Sequence, residues 1–240
     1  MFPYDQALAV ATQAPPRSIA DVLQTMQTID ATCVDGDGLK WFNWVYLQVT
    51  SAVEARVAAR GFADSAFLSE LDVQFGQLYF GALRAALTGS PCPGCWRALF
   101  DCRGNVQITR IQFALAGINA HINHDLPEAI VATCEARKTV PLHGRAQYND
   151  YTALNTTLDS IIEPAKQKLK VRLLGEPIPA VSHLADLIAA WSTSAAREKA
   201  WTNAEVLWHL QAVPAIAAGF IDSLDGITTF AGKTLLVPVP

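Results

Sequence analysis

The chain is short of charge. Only 17% of its 240 residues are Asp, Glu, Lys or Arg, and the formal net charge is −4 with the two signs interspersed. That distribution lacks the basic stripe that neutralises phosphates, so nucleic acid is excluded as a partner. The one basic run, Lys166, Lys168, Lys170 and Arg172, has the spacing of a solvated helix end. Missing too is any apolar stretch of bilayer length, and the start Met-Phe-Pro-Tyr-Asp-Gln has no cationic segment leading into an apolar one. The expectation is a cytoplasmic protein without a membrane span. Five cysteines, an odd number without a secretion signal, argue against a disulfide framework. Cys92-Pro-Gly-Cys95 has the spacing of a redox or zinc pair, but no second such pair exists and no strand precedes it, so both read as incidental loop cysteines. Repeats, low-complexity tracts and strong strand alternation are also lacking, and no nucleotide cofactor is expected.

What is present is hydrophobic residue, 51% of the chain, set out at helical period. Ser18 caps a helix carrying Ile19, Val22, Met26 and Ile29, and Asp37, in the turn Asp35-Gly-Asp-Gly38, caps the next over 39–60. Further helices are predicted over 65–87, 96–102, 106–125, 128–138, 151–174 (capped by Asp150), 181–191, 194–211 and 214–230, with a connector at 175–179. The architecture is an all-α, single-domain bundle of about seven to eight main helices. Residues 1–17 read as an N-terminal arm, 18–232 as the domain, and 233–240 as an apolar tail that lies in a groove of its own subunit or of a neighbour, which leaves a homo-oligomer open.

Polar chemistry concentrates in one segment, Phe113 to Glu128, where His121, His124, Asp125, Asn119 and Asn123 interrupt small and apolar residues. At about 100° per residue, Ile108, Ile111, Leu115, Ile118 and Ile122 form one stripe, with His121 and Asp125 a turn apart on its flank. Gly117 leaves the surface below His121 bare to close approach. Pro127 predicts a kink or break near 125–127, because a proline there clashes with the carbonyl of Asn123.

Imidazoles and a carboxylate clustered in this way match zinc or iron ligand types. Three ligands from one turn is awkward geometry, so part of the set is expected to orient the rest. Asp72, in the middle of the apolar stripe of 65–87, is costly there unless paired or bound to metal, and completes the expected set His121, His124, Asp125 and Asp72. Asn43 and Tyr46 on 39–60 and Arg197 on 194–211 are expected to orient substrate. Arg197 is alternatively a structural partner of nearby tryptophans, Trp201 and Trp208. His143, beside Gly144 and Arg145, reads as a surface residue.

Three stretches together, Asp37 to Thr50 (DGLKWFNWVYLQVT), Leu71 to Phe75 (LDVQF) and Ala116 to Pro127 (AGINAHINHDLP), resemble an uncharacterised helical family catalogued only as a domain of unknown function. The resemblance covers most of residues 20–210 and implies a helical fold. It implies no chemistry.

The leading expectation is therefore a metal-dependent enzyme acting on a hydrophobic small molecule, as a hydrolase or by lyase or cyclase chemistry. One alternative needs no metal: His121, paired with Asp125, is a general base. Another is a binding or scaffold protein whose buried polar cluster fixes helix register.

Overall fold

The computed structural model describes residues 2–171 and 192–238. The expected connector at 175–179, the expected helix at 181–191 and the side chains of the basic run lie outside the described residues. The chain is all-α: α1 (Asp5–Ala11), α2 (Ile19–Thr32), α3 (Gly38–Ala58), α4 (Ser65–Thr88), α5 (Gly94–Phe100), α6 (Arg110–Ala120), a π-helical turn (His121–Asp125), α7 (Leu126–Ala136), α8 (Ala146–Val171), α9 (Thr193–Leu210) and α10 (Pro214–Leu235). Among the described residues there is no strand.

Several helix starts follow from local chemistry. Ser18 accepts the Asp21 N–H at 3.2 Å, Asp37 the Leu39 N–H at 3.0 Å and Asp64 the Phe67 N–H at 2.9 Å, each satisfying a donor that the first turn leaves unpaired. Gly89 ends α4 in the left-handed conformation, φ 73°. Asp150 departs from expectation. Its helix already begins at Ala146, and its carboxylate instead accepts the N–H groups of Ala63 and Asp64 at 3.0 and 2.6 Å, serving the loop that enters α4. A tertiary demand for an acceptor overrides the local capping signal.

The expected N-terminal arm contains α1, whose Leu8 is fully buried. Asp5 and Asp37 both receive Arg103: Nη2 donates to Asp5 Oδ1 at 2.6 Å and to Asp37 Oδ2 at 2.8 Å, and Nε to Asp37 Oδ1 at 3.0 Å. This buried fork ties α1, the start of α3 and the loop after α5 together. At the other end, the buried Gln112 donates to the carbonyls of Leu235 and Val237 at 2.8 and 2.7 Å, so the tail lies against α6 of its own chain.

At the centre runs α6, the π turn and α7, in contact with α3, α4, α9 and α10. Every residue from Ile111 to Ala120 is buried, which is why this segment is apolar on all sides. The kink or break expected near 125–127 takes the form of the π-helical turn just before the proline. The Leu126 N–H donates to the His121 carbonyl five residues back, and the widened turn absorbs one extra residue before α7 begins with Pro127 in its first turn. The proline is tolerated where no amide donor is needed, and the rod continues.

Gly117 is where α3 comes closest. A Cβ there would lie 2.3–2.5 Å from atoms of Phe42, so the bare surface is filled by that ring. Replacing Gly117 by Ala forces Phe42 off its site, and over-packing of this kind costs about 1–3 kcal/mol. We expect the Gly117→Ala chain to show a lower urea midpoint at unchanged m-value, which equilibrium denaturation measures directly.

Candidate active site

Asp125 is the centre of the polar cluster. Its Oδ2 meets His121 Nδ1 at 2.9 Å and accepts the Trp96 Nε1–H at 2.9 Å, while Oδ1 meets His124 Nδ1 at 2.8 Å. All of these groups are buried. A carboxylate only accepts, so each imidazole presents Nδ1–H to it and keeps Nε2 for another partner. The π turn makes the arrangement: His121 and Asp125 stand one widened turn apart, and His124 reaches the second carboxylate oxygen from the adjacent position.

The two rings then point to different places. His121 lies among aromatics, stacked on Phe75 with centroids 3.4 Å apart and planes at 5°, with Tyr46 edge-on at 4.5 Å and Phe42 at 5.6 Å. It lines an apolar cavity of about 80 Å³ together with Tyr46, Leu71, Asp72, Phe75, Ile122, Leu158 and Arg197. That volume holds several water-sized groups. The walls come from α3, α4, the π turn, α8 and α9. His124 instead faces a second, more polar cleft of about 650 Å³, shared with Asp125, Glu128, Asp222 and Asp225.

The four expected metal ligands are therefore not gathered at one point. His121 and Asp72 share the apolar cavity, His124 lies across the rod, and Asp125 bridges the two imidazoles. Among the described residues, the group of His, Cys and carboxylate atoms close enough to hold an ion is Cys95, His124 and Asp225. Of the residues expected to orient substrate, Tyr46 and Arg197 line the cavity. Asn43 does not; it is fully buried, donates to the Met26 carbonyl at 2.9 Å and accepts from Tyr79 Oη at 3.3 Å, tying α2, α3 and α4 together.

Burial drives the electrostatics. It lowers His121 below the usual imidazole range, against the hydrogen bond and charge of Asp125, so the ring is neutral near pH 7. For His124, burial also works downward, but the hydrogen bond and charge of Asp125, with Glu128 and Asp225, carry the net shift upward. Asp125 is pulled below the carboxylate range; burial works upward, and the bonds from both imidazoles outweigh it. Asp72 goes the other way. Burial, helped by Glu54, pushes it up to about 8, so it is a neutral acid at pH 7. Arg197 is lowered by burial. Its Nε donates to Asn155 Oδ1 and its Nη2 to the Tyr151 carbonyl, both at 2.8 Å, and its plane lies 3.9 Å over the Tyr151 ring. The stacking partner is a tyrosine of α8 and not the tryptophans of its own helix. No carboxylate pairs with it among the described residues.

Three buried polar atoms in this cavity have no hydrogen-bond partner among the described residues, Tyr46 Oη, His121 Nε2 and Asp72 Oδ2. Such groups cost about 1–3 kcal/mol each when nothing satisfies them, so they mark where a bound molecule is worth most. Sequence reasoning alone does not single out Trp96, the stacking role of Phe75 or Asp225. Phe75 and Trp96 carry only a generic core signal, and nothing in the pattern around Asp225 separates it from surface carboxylates. His143 is exposed, and its ring bridges Glu205 at 2.6 Å and Glu198 at 2.9 Å on α9.

The fold and this cluster define an all-helical protein with two buried imidazoles sharing one carboxylate. The chain belongs to a family of unknown function, DUF5995, whose model matches residues 19–238. No curated protein and no solved structure matches it. Among the described residues no helix is long and apolar enough to cross a membrane.

Asp125→Asn tests the central bond set. The amide oxygen cannot replace both carboxylate oxygens, so at least one of the three N–H donors loses its acceptor inside the core. The expected loss is about 1–3 kcal/mol of stability, accompanied by displaced imidazole and Trp96 indole resonances in ¹⁵N-resolved NMR spectra. Unchanged spectra would show that the bonds do not form in solution.

Proposed function

We propose that this chain is an acid–base enzyme in which His121 removes a proton from a hydrophobic small molecule bound in the apolar cavity. One observation carries the reading: His121 Nδ1 is fixed by a buried carboxylate while Nε2, without a partner among the described residues, stands at the wall of a cavity with room for a small ligand. A neutral, oriented imidazole with a free basic nitrogen is the equipment of a general base. Asp125 sets the tautomer and stabilises the imidazolium that forms. Asp72, kept protonated by burial, is the acid that returns a proton elsewhere on the molecule. Two titratable groups pushed in opposite directions within one cavity is the pattern that assigns base and acid.

Arg197 names the head group. A buried guanidinium on the cavity wall, without an acidic partner among the described residues, favours an anion, and its planar donors suit a carboxylate. The substrate class is thus an apolar molecule bearing a carboxylate, and the chemistry is proton abstraction from the bound molecule, as in lyase, cyclase or isomerase reactions. No step needs a metal at His121, because its Nδ1 is committed to Asp125 and its Nε2 faces the substrate.

Short-chain unsaturated aliphatic carboxylic acids, incubated with the protein in D₂O, test this. NMR should show deuterium entering next to the carboxylate or the double bond, and His121→Gln should slow the exchange by about 10²–10⁴-fold, the usual weight of a general base, while leaving the chain folded. Arg197→Met should weaken binding of the acids but not of the matched amides. Equal exchange by wild type and His121→Gln would overturn the proposal, as would a His121→Gln chain that only unfolds while Tyr46→Phe and Asp72→Asn bind and exchange as wild type does. The rate should be bell-shaped in pH. It rises as His121 loses its proton below the ordinary imidazole range and falls as Asp72 loses its own near about 8, so Asp72→Asn should remove the alkaline limb.

A further inference from the structure

On the far side of Asp125 from the cavity, three side chains from three separate elements converge. Cys95 lies in the first turn of α5, His124 in the π turn and Asp225 on α10, and one ligand atom of each lies within 4.8 Å of the others. Cys95 and His124 are buried, at 2% and 5% exposure. We propose that Cys95, His124 and Asp225 bind a divalent ion of the zinc class, with a water from the adjacent cleft as fourth ligand.

Each ligand is held in place. The His124 ring is fixed by Asp125 Oδ1 at its Nδ1, leaving Nε2 for a metal; a metal-bound imidazole with its other nitrogen on a carboxylate is the usual arrangement around zinc. Asp225 is aimed by two backbone donors, the N–H of Gly94 to Oδ2 at 2.8 Å and of Cys95 to Oδ1 at 2.9 Å, which set its carboxylate against the start of α5. Thr229 Oγ1 also donates to Oδ1, at 3.5 Å, so Oδ2 is the oxygen that keeps a further lone pair for an ion. Gly94 allows this approach, because a Cβ there would meet Asp225 Oδ2 at 3.0 Å and Thr229 Oγ1 at 2.8 Å.

The donor set is chemically selective. A thiolate, an imidazole and a carboxylate together suit zinc, whereas magnesium and calcium take oxygen. Ligand atoms around tetrahedral zinc stand about 3.3–3.6 Å apart, given metal–ligand bonds of about 2.0–2.3 Å, so filling the site draws no pair together by more than about 1.5 Å. Binding displaces the thiol proton of Cys95, and the thiolate and carboxylate then balance the ion's two charges. Cys92 takes no part: its Sγ is turned to the carbonyls of Ala82 and Pro93 at 3.5 and 3.6 Å. The pair-like spacing of the two cysteines is therefore misleading, while one of them supplies a ligand from inside the fold.

The site does not depend on His121 acting as a base. The full chain, purified without an affinity tag and stripped with a chelator, is titrated with Co²⁺. The expected result is one Co²⁺ per chain with visible bands of tetrahedral cobalt and a thiolate-to-metal charge-transfer band. Cys95→Ser should lose the charge-transfer band, and His124→Gln should bind at least tenfold more weakly, whereas His121→Gln and Asp72→Asn should keep the wild-type spectrum. A wild-type chain that shows no thiolate band at excess Co²⁺ overturns the proposal whatever the variants do, and so does a band that survives in folded Cys95→Ser.

Discussion

One carboxylate holds the centre of this molecule. Asp125 is buried and ionised, a state whose desolvation costs several kcal/mol. Three N–H donors, from Trp96, His121 and His124, converge on its two oxygens, and hydrogen bonds to a charged acceptor contribute about 1.5–3 kcal/mol each. The set is balanced only when complete. That requirement fixes the ring planes of both histidines and joins α5 to the central rod.

The π turn serves the same requirement. A regular α-helix places positions one and four residues before Asp125 at different angles, and the widened turn lets both imidazoles address one side chain. It also resolves the conflict with Pro127. Strain from the proline and geometry for the cluster are thus met by the same local change, consistent with π turns being common at functional positions.

Sharing Asp125 gives the two sides of the rod a common member with different surroundings. His121 is enclosed by Phe75, Tyr46 and Phe42, where the low dielectric keeps it neutral. His124 faces carboxylates and a polar cleft, where charge is favoured. In our reading the first is a base toward an apolar carboxylate and the second a metal ligand. Asp125 would orient both without reacting itself.

The helices from α2 onward, the caps at Ser18 and Asp37 and the importance of the 113–128 segment are legible in the sequence, because each rests on spacing within a few residues, whereas α1 is not. The His121–Asp125 contact is legible for the same reason. By contrast, the commitment of Asn43 to Met26 and Tyr79, the service of Asp150 to the α4 loop and the meeting of Cys95 with Asp225 pair residues from different elements, and the separation of His121 from His124 depends on the distant helices that line each side. By itself the sequence determined that this chain is helical and that a histidine and a carboxylate meet in its core, since helical periodicity is a local property. Only the tertiary structure decided which way each ring nitrogen faces, because that depends on which distant helix supplies the wall.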